Sequence, residues 1–229
     1  NSTTTDGVSV NSSSTDVAID KQECRSDPVS MLTGEEILPL TDFELGGLMP
    51  LVWRRLYRSS KIASNLGMGY GWRHNFSLQL YDKYQPPPTV GPLQKGKYWV
   101  ELVDEEGRVH TFDRVKRGQT SIQASSGWAL NHQGDGRQVL IKPDDTHWAF
   151  IKQNERWLLE KISNSHGQYL ALFYDIKQRL VRISTSPKRG VALSYNTDGN
   201  LLRVAAYVMD EEGTAKQQPD LLASYQYDD

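Results

Sequence analysis

Cysteine is nearly missing from this chain: Cys24 stands alone among 229 residues, which excludes an intrachain disulfide and a cysteine-rich metal site. In its polar surroundings Cys24 reads as an inert thiol. Long apolar runs are missing too. The longest, such as YLALFY at 169–174, are strand-sized and fall well short of the about 20 residues a membrane-crossing helix needs. No window carries the i, i+3, i+4 stripe of an amphipathic helix. Charge of one sign is not in surplus either, with a formal net charge of −2 and a pI near 6.2, so the overall balance does not point to nucleic acid. A signal peptide is absent and the chain opens on Asn1 instead of Met, as expected of a processed piece or fragment of a longer protein.

The usual chemical signatures are also lacking. His74, His110, His132, His147 and His166 show no HxH or HExxH spacing, so metal binding is not expected. GMGYG at 67–71 lacks the GK[ST] ending and following helix of a phosphate loop, and reads as glycines at a β corner. Carboxylates gather at turns, in Asp104/Glu105/Glu106, Asp144/Asp145 and Asp210/Glu211/Glu212. They read as solvated turns, and no acid/base pair follows from them.

What is present is short strands and turns. Apolar and aromatic runs recur about every ten residues, around Ile122, Trp128–Leu130, Val139–Ile141, Trp148–Ile151, Trp157–Ile162 and Tyr169–Tyr174. Between them lie Ser126-Gly127, Gly134-Asp135-Gly136, Pro143-Asp144-Asp145, Gln153-Asn154 and His166-Gly167, all turn formers. KYWVELVDEEGRVHTFDRV reads as one hairpin turning at Glu105-Glu106-Gly107. Two further segments superimpose: YDIKQRLVRI from Tyr174 and YNTDGNLLRV from Tyr195. A period of about 20 residues holding two strands and a turn implies hairpins that stack on neighbours, since an isolated hairpin is marginal in water. MDEEGTAKQQPD at 209–220 is a polar insertion that stretches the next tyrosine spacing. The fold class is therefore all-β, with consecutive antiparallel hairpins forming a curved, spiralling sheet.

The organisation follows from composition. Residues 1–26 begin NSTTTDGVSVNSSSTD and read as a flexible Ser/Thr-rich linker, too polar to offset its ordering entropy. Residues 27–82 form an opening module of strands broken by Pro39, Gly46-Gly47 and Pro50. Within it Arg54, Arg55 and Arg58 stand beside Trp53 and Tyr57, with Glu35, Glu36 and Asp42 nearby; cation–π stacking or acid pairing is expected, a nucleic-acid or phosphate patch being the sharper alternative. Residues 83–97, with Pro86-Pro87-Pro88 and Gly91-Pro92, read as a rigid connector. Residues 98–229 are the hairpin array.

The module resembles the opening segment that precedes the YD-repeat shell of bacterial Rhs (rearrangement hotspot) proteins. The landmarks are Asp27-Pro28-Val29, Thr33-Gly34, Asp42-Phe43, Pro50-Leu51, Tyr57-Arg58-Ser59 and Gly69-Tyr70-Gly71-Trp72, in that order. Tyr174-Asp175 and Tyr225-Gln226-Tyr227-Asp228 fit the YD pattern, while Asn196 replaces its Asp and Gln178 its turn glycine. The resemblance implies a container, wound from a β-sheet spiral, that encloses a toxic C-terminal domain of the same polypeptide. It also implies export from the bacterial cytoplasm, commonly by a type VI secretion apparatus, with a PAAR or VgrG spike and a chaperone as partners. The family's self-cleavage signature and toxin lie beyond this stretch: the only Asp-Pro, Asp27-Pro28, is followed by Val29-Ser30 at the opposite end. No catalytic, cofactor-binding or metal-binding residue is expected. A last strand without a following hairpin would expose an edge open to self-association. The rival reading is a stand-alone carbohydrate-binding β-sandwich with Trp99, Trp128, Trp148 or Trp157 as stacking surfaces.

Overall fold

The computed structural model describes residues 29, 33–89, 95–186, 188–209 and 220–227. The 1–26 linker with Cys24, Asp27-Pro28, most of the 209–220 insertion and Asp228 lie outside the described residues. Sixteen strands follow one another among the described residues: β1 (Ile37–Leu45), β2 (Leu51–Arg58), β3 (Trp72–His74), β4 (Gln79–Gln85), β5 (Lys97–Val103), β6 (Val109–Asp113), β7 (Thr120–Gln123), β8 (Trp128–His132), β9 (Gln138–Ile141), β10 (His147–Gln153), β11 (Arg156–Ser163), β12 (Tyr169–Tyr174), β13 (Leu180–Ser186), β14 (Arg189–Tyr195), β15 (Leu201–Val208) and β16 (Asp220–Ser224). Among the described residues there is no α-helix, only a 3-10 turn at Ser59–Lys61, and no helix able to cross a membrane. Because β4 runs to Gln85 and β5 starts at Lys97, the proline-bearing connector is shorter at both ends than residues 83–97.

Alternation of side chains along each strand decides the faces. In YLALFY, Leu170 and Leu172 are buried while Phe173 is exposed. Strands β1, β2 and β3 make a small antiparallel sheet; β7 to β16 pair in sequence order into a long one. The long sheet branches at β11. Lys161–Ser163 pair with β12, whereas Trp157 pairs with Leu80 of β4, and β4 continues through β5 to β6. One core runs under both sheets, from Leu51 and Trp53 through Leu80, Leu102, Phe150 and Leu159 to Ile183, Leu201 and Val204.

Among the described residues a single turn geometry occurs six times. The first residue, at 104, 133, 142, 164, 175 or 196, donates its N–H to the carbonyl four residues on; its own carbonyl accepts from the N–H three residues on. The residue at that third step has positive φ: Gly107, Gly136, Asp145, Gly167, Gln178 and Gly199. This is a type I turn closed by a left-handed residue, a hairpin connection compatible with the sheet's twist. Asp or Asn fills the first position in four of the six, Asp104, Asn164, Asp175 and Asn196, and this explains the D of the repeat; Gln133 and Lys142 fill the other two. Oδ1 of Asp175 accepts from the N–H groups of Lys177 and Arg179, both at 2.9 Å. Asp104 and Asn164 do the same for their own turns, and Asn196 does so for Asn200. Gln178 keeps the geometry without glycine at φ 60°, its amide donating to Gln153 O at 3.0 Å.

The tyrosines explain the Y. Tyr174 donates its hydroxyl to Leu159 O at 2.9 Å, Tyr195 to Leu180 O at 2.7 Å and Tyr227 to Leu201 O at 2.8 Å. Each thus ties the end of one hairpin to a carbonyl of the strand before it, at its first residue in β13 and β15 and at its fourth in β11. Tyr227, not Tyr225, therefore occupies the repeat position after the insertion.

Candidate functional site: the seam between the opening module and the hairpin array

The small sheet presents Trp53, fully buried, toward the far end of the chain. Trp53 Nε1 donates to the Tyr225 hydroxyl at 3.0 Å, which donates in turn to Asp42 Oδ2 at 2.6 Å. Arg55 grips the same carboxylate through both oxygens, at 2.6 and 2.8 Å. Its guanidinium lies between two rings, 5.0 Å from the centre of Trp72 and 4.9 Å from that of Tyr225. Bidentate pairing plus stacking is what guanidinium chemistry allows and lysine does not. Burial, followed by the hydrogen bond to Asp42, pushes the Tyr225 hydroxyl well above its ordinary value, so it remains a donor.

Beside this clamp the 65–71 loop meets the last described turns. Leu201 N donates to Gly67 O at 2.7 Å, and Asn65 bridges to Asn200 at 3.0 Å. Gly67, Gly69 and Gly71 all have positive φ, so GMGYG is a docking corner. A Cβ on Gly71 would lie 2.7 Å from the Tyr57 ring, closer than any side chain tolerates.

A second contact is ionic. Arg58, 1% exposed, binds Glu35 at 2.8 and 2.5 Å and donates to Glu106 O at 3.1 Å; Ser60 also donates to Glu35. Burial raises the Glu35 carboxyl, but these donors and the Arg58 charge outweigh it and hold the group below its usual range. Across the seam Asp104 is fully buried and accepts from Arg108 and His110, both at 2.8 Å. Its pKa, raised by burial, is brought below the ordinary value first by His110 and then by Arg108. The acidic 104–106 turn is therefore not a solvated one: it faces Arg58 and Arg73 of the module, and only its tip reaches water. Lys142 lies 3.4 Å from the Trp148 ring centre and 4.8 Å from that of Trp128. Burial depresses its pKa despite the nearby Glu105 and Asp144.

The arginine cluster thus divides. Arg55 and Arg58 take Asp42 and Glu35, whereas Arg54 is exposed. Stacking falls on Trp72 and Tyr225 instead of the neighbours Trp53 and Tyr57, and Glu36 offers its N–H to Ser59 Oγ instead of pairing with arginine. The proposed sugar platform is absent. Trp148 and Trp157 are buried, Trp128 packs on His110 at 4.4 Å, and Trp99 binds Glu101, so the tryptophans make no solvent-facing row. Among the described residues no three His, Cys, Asp or Glu side chains come together as a metal site.

Comparison with known proteins finds that a family model described as a domain of unknown function, DUF6531, matches residues 26–112, which takes in β1 to β5 and all but the last residue of β6. Over 82% of the chain the sequence is 29% identical to the probable deoxyribonuclease RhsB of Dickeya dadantii (strain 3937). It is 27% identical, over 82%, to the probable deoxyribonuclease RhsA of the same organism. A double-stranded DNA deaminase toxin A of Burkholderia cenocepacia (strain H111) is 23% identical over 88% of the chain. The chain spans 13% of the length of each of these relatives.

Proposed function

We propose that this chain, similar over most of its length to Rhs proteins, forms the opening part of a repeat shell in an Rhs-type polymorphic toxin protein. In this reading it has no catalytic role. The shell, continued by later hairpins, encloses a toxic domain of the same polypeptide and is exported with it, by a type VI apparatus through a PAAR or VgrG spike, with a chaperone assisting. One observation carries the reading: the opening module shares its core with the hairpin array and is clamped by Trp53, Asp42 and Arg55 to Tyr225. A module fixed to successive hairpins is suited to starting a sheet and stopping one end. The outer edge of β16, which pairs with β15, is where the next hairpin, or a second copy, would add.

The test uses the complete polypeptide that contains this chain. Limited proteolysis should spare its C-terminal domain while the shell is intact. An Arg55→Ala, Tyr225→Phe double variant should shorten that protection several-fold. A C-terminal domain cut as fast in the native protein as when expressed alone would overturn the reading.

A further inference from the structure

Eight of the strands close on themselves almost completely. β7 through β11 pair in order, β11 touches β4, and β4, β5 and β6 pair in order. β6 then lies against β7, joined by side chains: Ser121 Oγ accepts from Asp113 N at 3.0 Å and Gln123 meets His110 at 3.1 Å. The strand directions give this incomplete ring two ends. One carries Asp104, Lys142 and Trp148 and is stopped by the opening module. The other holds a cavity of about 270 Å³ reached by β4, β5, β6, β8, β9, β10 and β11.

The floor of the cavity is apolar, with Val100, Leu130 and Trp157. Its rim carries Arg114, Arg117, Lys152 and His132. Two acidic residues also line it, Asp82 and Asp113; Asp82 is engaged by Lys152 at 2.7 Å and Trp157 Nε1 at 3.2 Å and lies within the field of Arg114. Asp113 is exposed, at the end of β6. Arg114 rests on the Tyr98 ring at 5.0 Å, and among the described residues neither it nor Arg117 comes within ion-pair distance of a carboxylate, Arg114 acting on Asp82 only through its field. Two exposed guanidiniums and Lys152 therefore stand at a partly enclosed space against two carboxylates, so that positive charge is in excess at the rim. Such a guanidinium pair costs folding energy through mutual repulsion, which an oxyanion held by their planar N–H forks relieves.

We propose that the open end of the strand ring is an oxyanion-binding site, with Arg114 and Arg117 as its ligands and Lys152 completing the positive wall. The shared chemistry is a compact carboxylate or phosphate group. Ringed by strands, it is remote from the seam that carries the shell reading, so either can fail without the other.

The test is an NMR titration of the ¹⁵N-labelled 229-residue chain with inorganic phosphate and, separately, with succinate, at ionic strength held constant with chloride. The probes are the Trp157 indole N–H and the arginine Nε–H signals. Saturable shifts with phosphate alone, succinate alone or both support the site and identify the oxyanion it prefers. Arg117→Gln and Arg114→Gln should each weaken binding about tenfold, with Arg117→Lys between them and the native chain, and with Arg203→Gln on β15 unchanged. Since Arg117→Lys keeps the charge on a loop, it remains informative if Arg114→Gln misfolds. Linear, non-saturating shifts with both anions, or native affinity in Arg117→Gln and Arg117→Lys, would overturn the proposal.

Discussion

Lowering the pH from 7 to 5 should remove about 2 kcal/mol of folding stability through one side chain, His74, by the linkage of proton binding to folding. His74 is 6% exposed, stacked on Trp53 at 4.6 Å and packed near Phe76. Its Nδ1 accepts the Phe76 N–H at 3.2 Å, so the neutral ring is the one the fold binds; a proton on Nδ1 would abolish that bond. Burial, and next the charge of Arg73, push its pKa from 6.5 down to about 3. Because the folded value is depressed, no penalty exists above pH 6.5. Below it the unfolded chain takes up a proton that the folded one refuses, and stability falls until about pH 3. At pH 5 the gap of about 1.5 units corresponds to roughly 2 kcal/mol. Urea denaturation at pH 7 and pH 5 measures this, compared with His74→Phe, which retains the other four histidines. The native chain should lose about 2 kcal/mol more than the variant on acidification. Equal losses, or an NMR titration placing the His74 pKa above 5, would refute the reasoning.

Removing the repeat tyrosine hydroxyls by Tyr174→Phe or Tyr195→Phe should cost about 1 kcal/mol each, the worth of one hydrogen bond whose carbonyl partner is left in a half-buried place, read from denaturant midpoints. Tyr225→Phe should cost more, about 2 kcal/mol, since Trp53 Nε1 loses its acceptor and Asp42 a donor; a changed Trp53 indole N–H shift would accompany it. Gln178→Gly should stabilise by up to about 1 kcal/mol by relieving a left-handed backbone, net of the exposed bond to Gln153. Gly199→Ala should destabilise by about 1 kcal/mol. A Cβ there meets nothing within 4 Å, so that change reports backbone strain alone.

The hairpins were legible because their causes are local. Alternation in YLALFY, glycine three residues after Asp or Asn, and paired tyrosine units each act within a few residues, and the described strands fall where these signals lie. The seam was less legible because its causes are distant. Trp53 and Tyr225 are 172 residues apart, and Asp42 and Tyr225 are 183 apart. Nothing around Asp104 distinguishes its turn from the exposed one at Asp144; what differs is that Arg58 and Arg73 arrive from another element. The branching of β11 has the same origin, resting on the pairing of Trp157 with Leu80. One signal was present in the sequence: YQYD holds a tyrosine more than a YD unit requires, and the surplus Tyr225 makes the clamp.

The repeat tyrosines have a consequence for how such chains can change. Tyr174 and Tyr195 each find their carbonyl 15 residues back, whereas Tyr227 finds its own 26 back, across the 209–220 insertion. What defines a repeat is thus a fastening made at the near end of each hairpin, not a fixed count of residues. Segments can be spliced into the far loops while every fastening stays in place, so that side of the array is free to diversify as the remainder keeps its order.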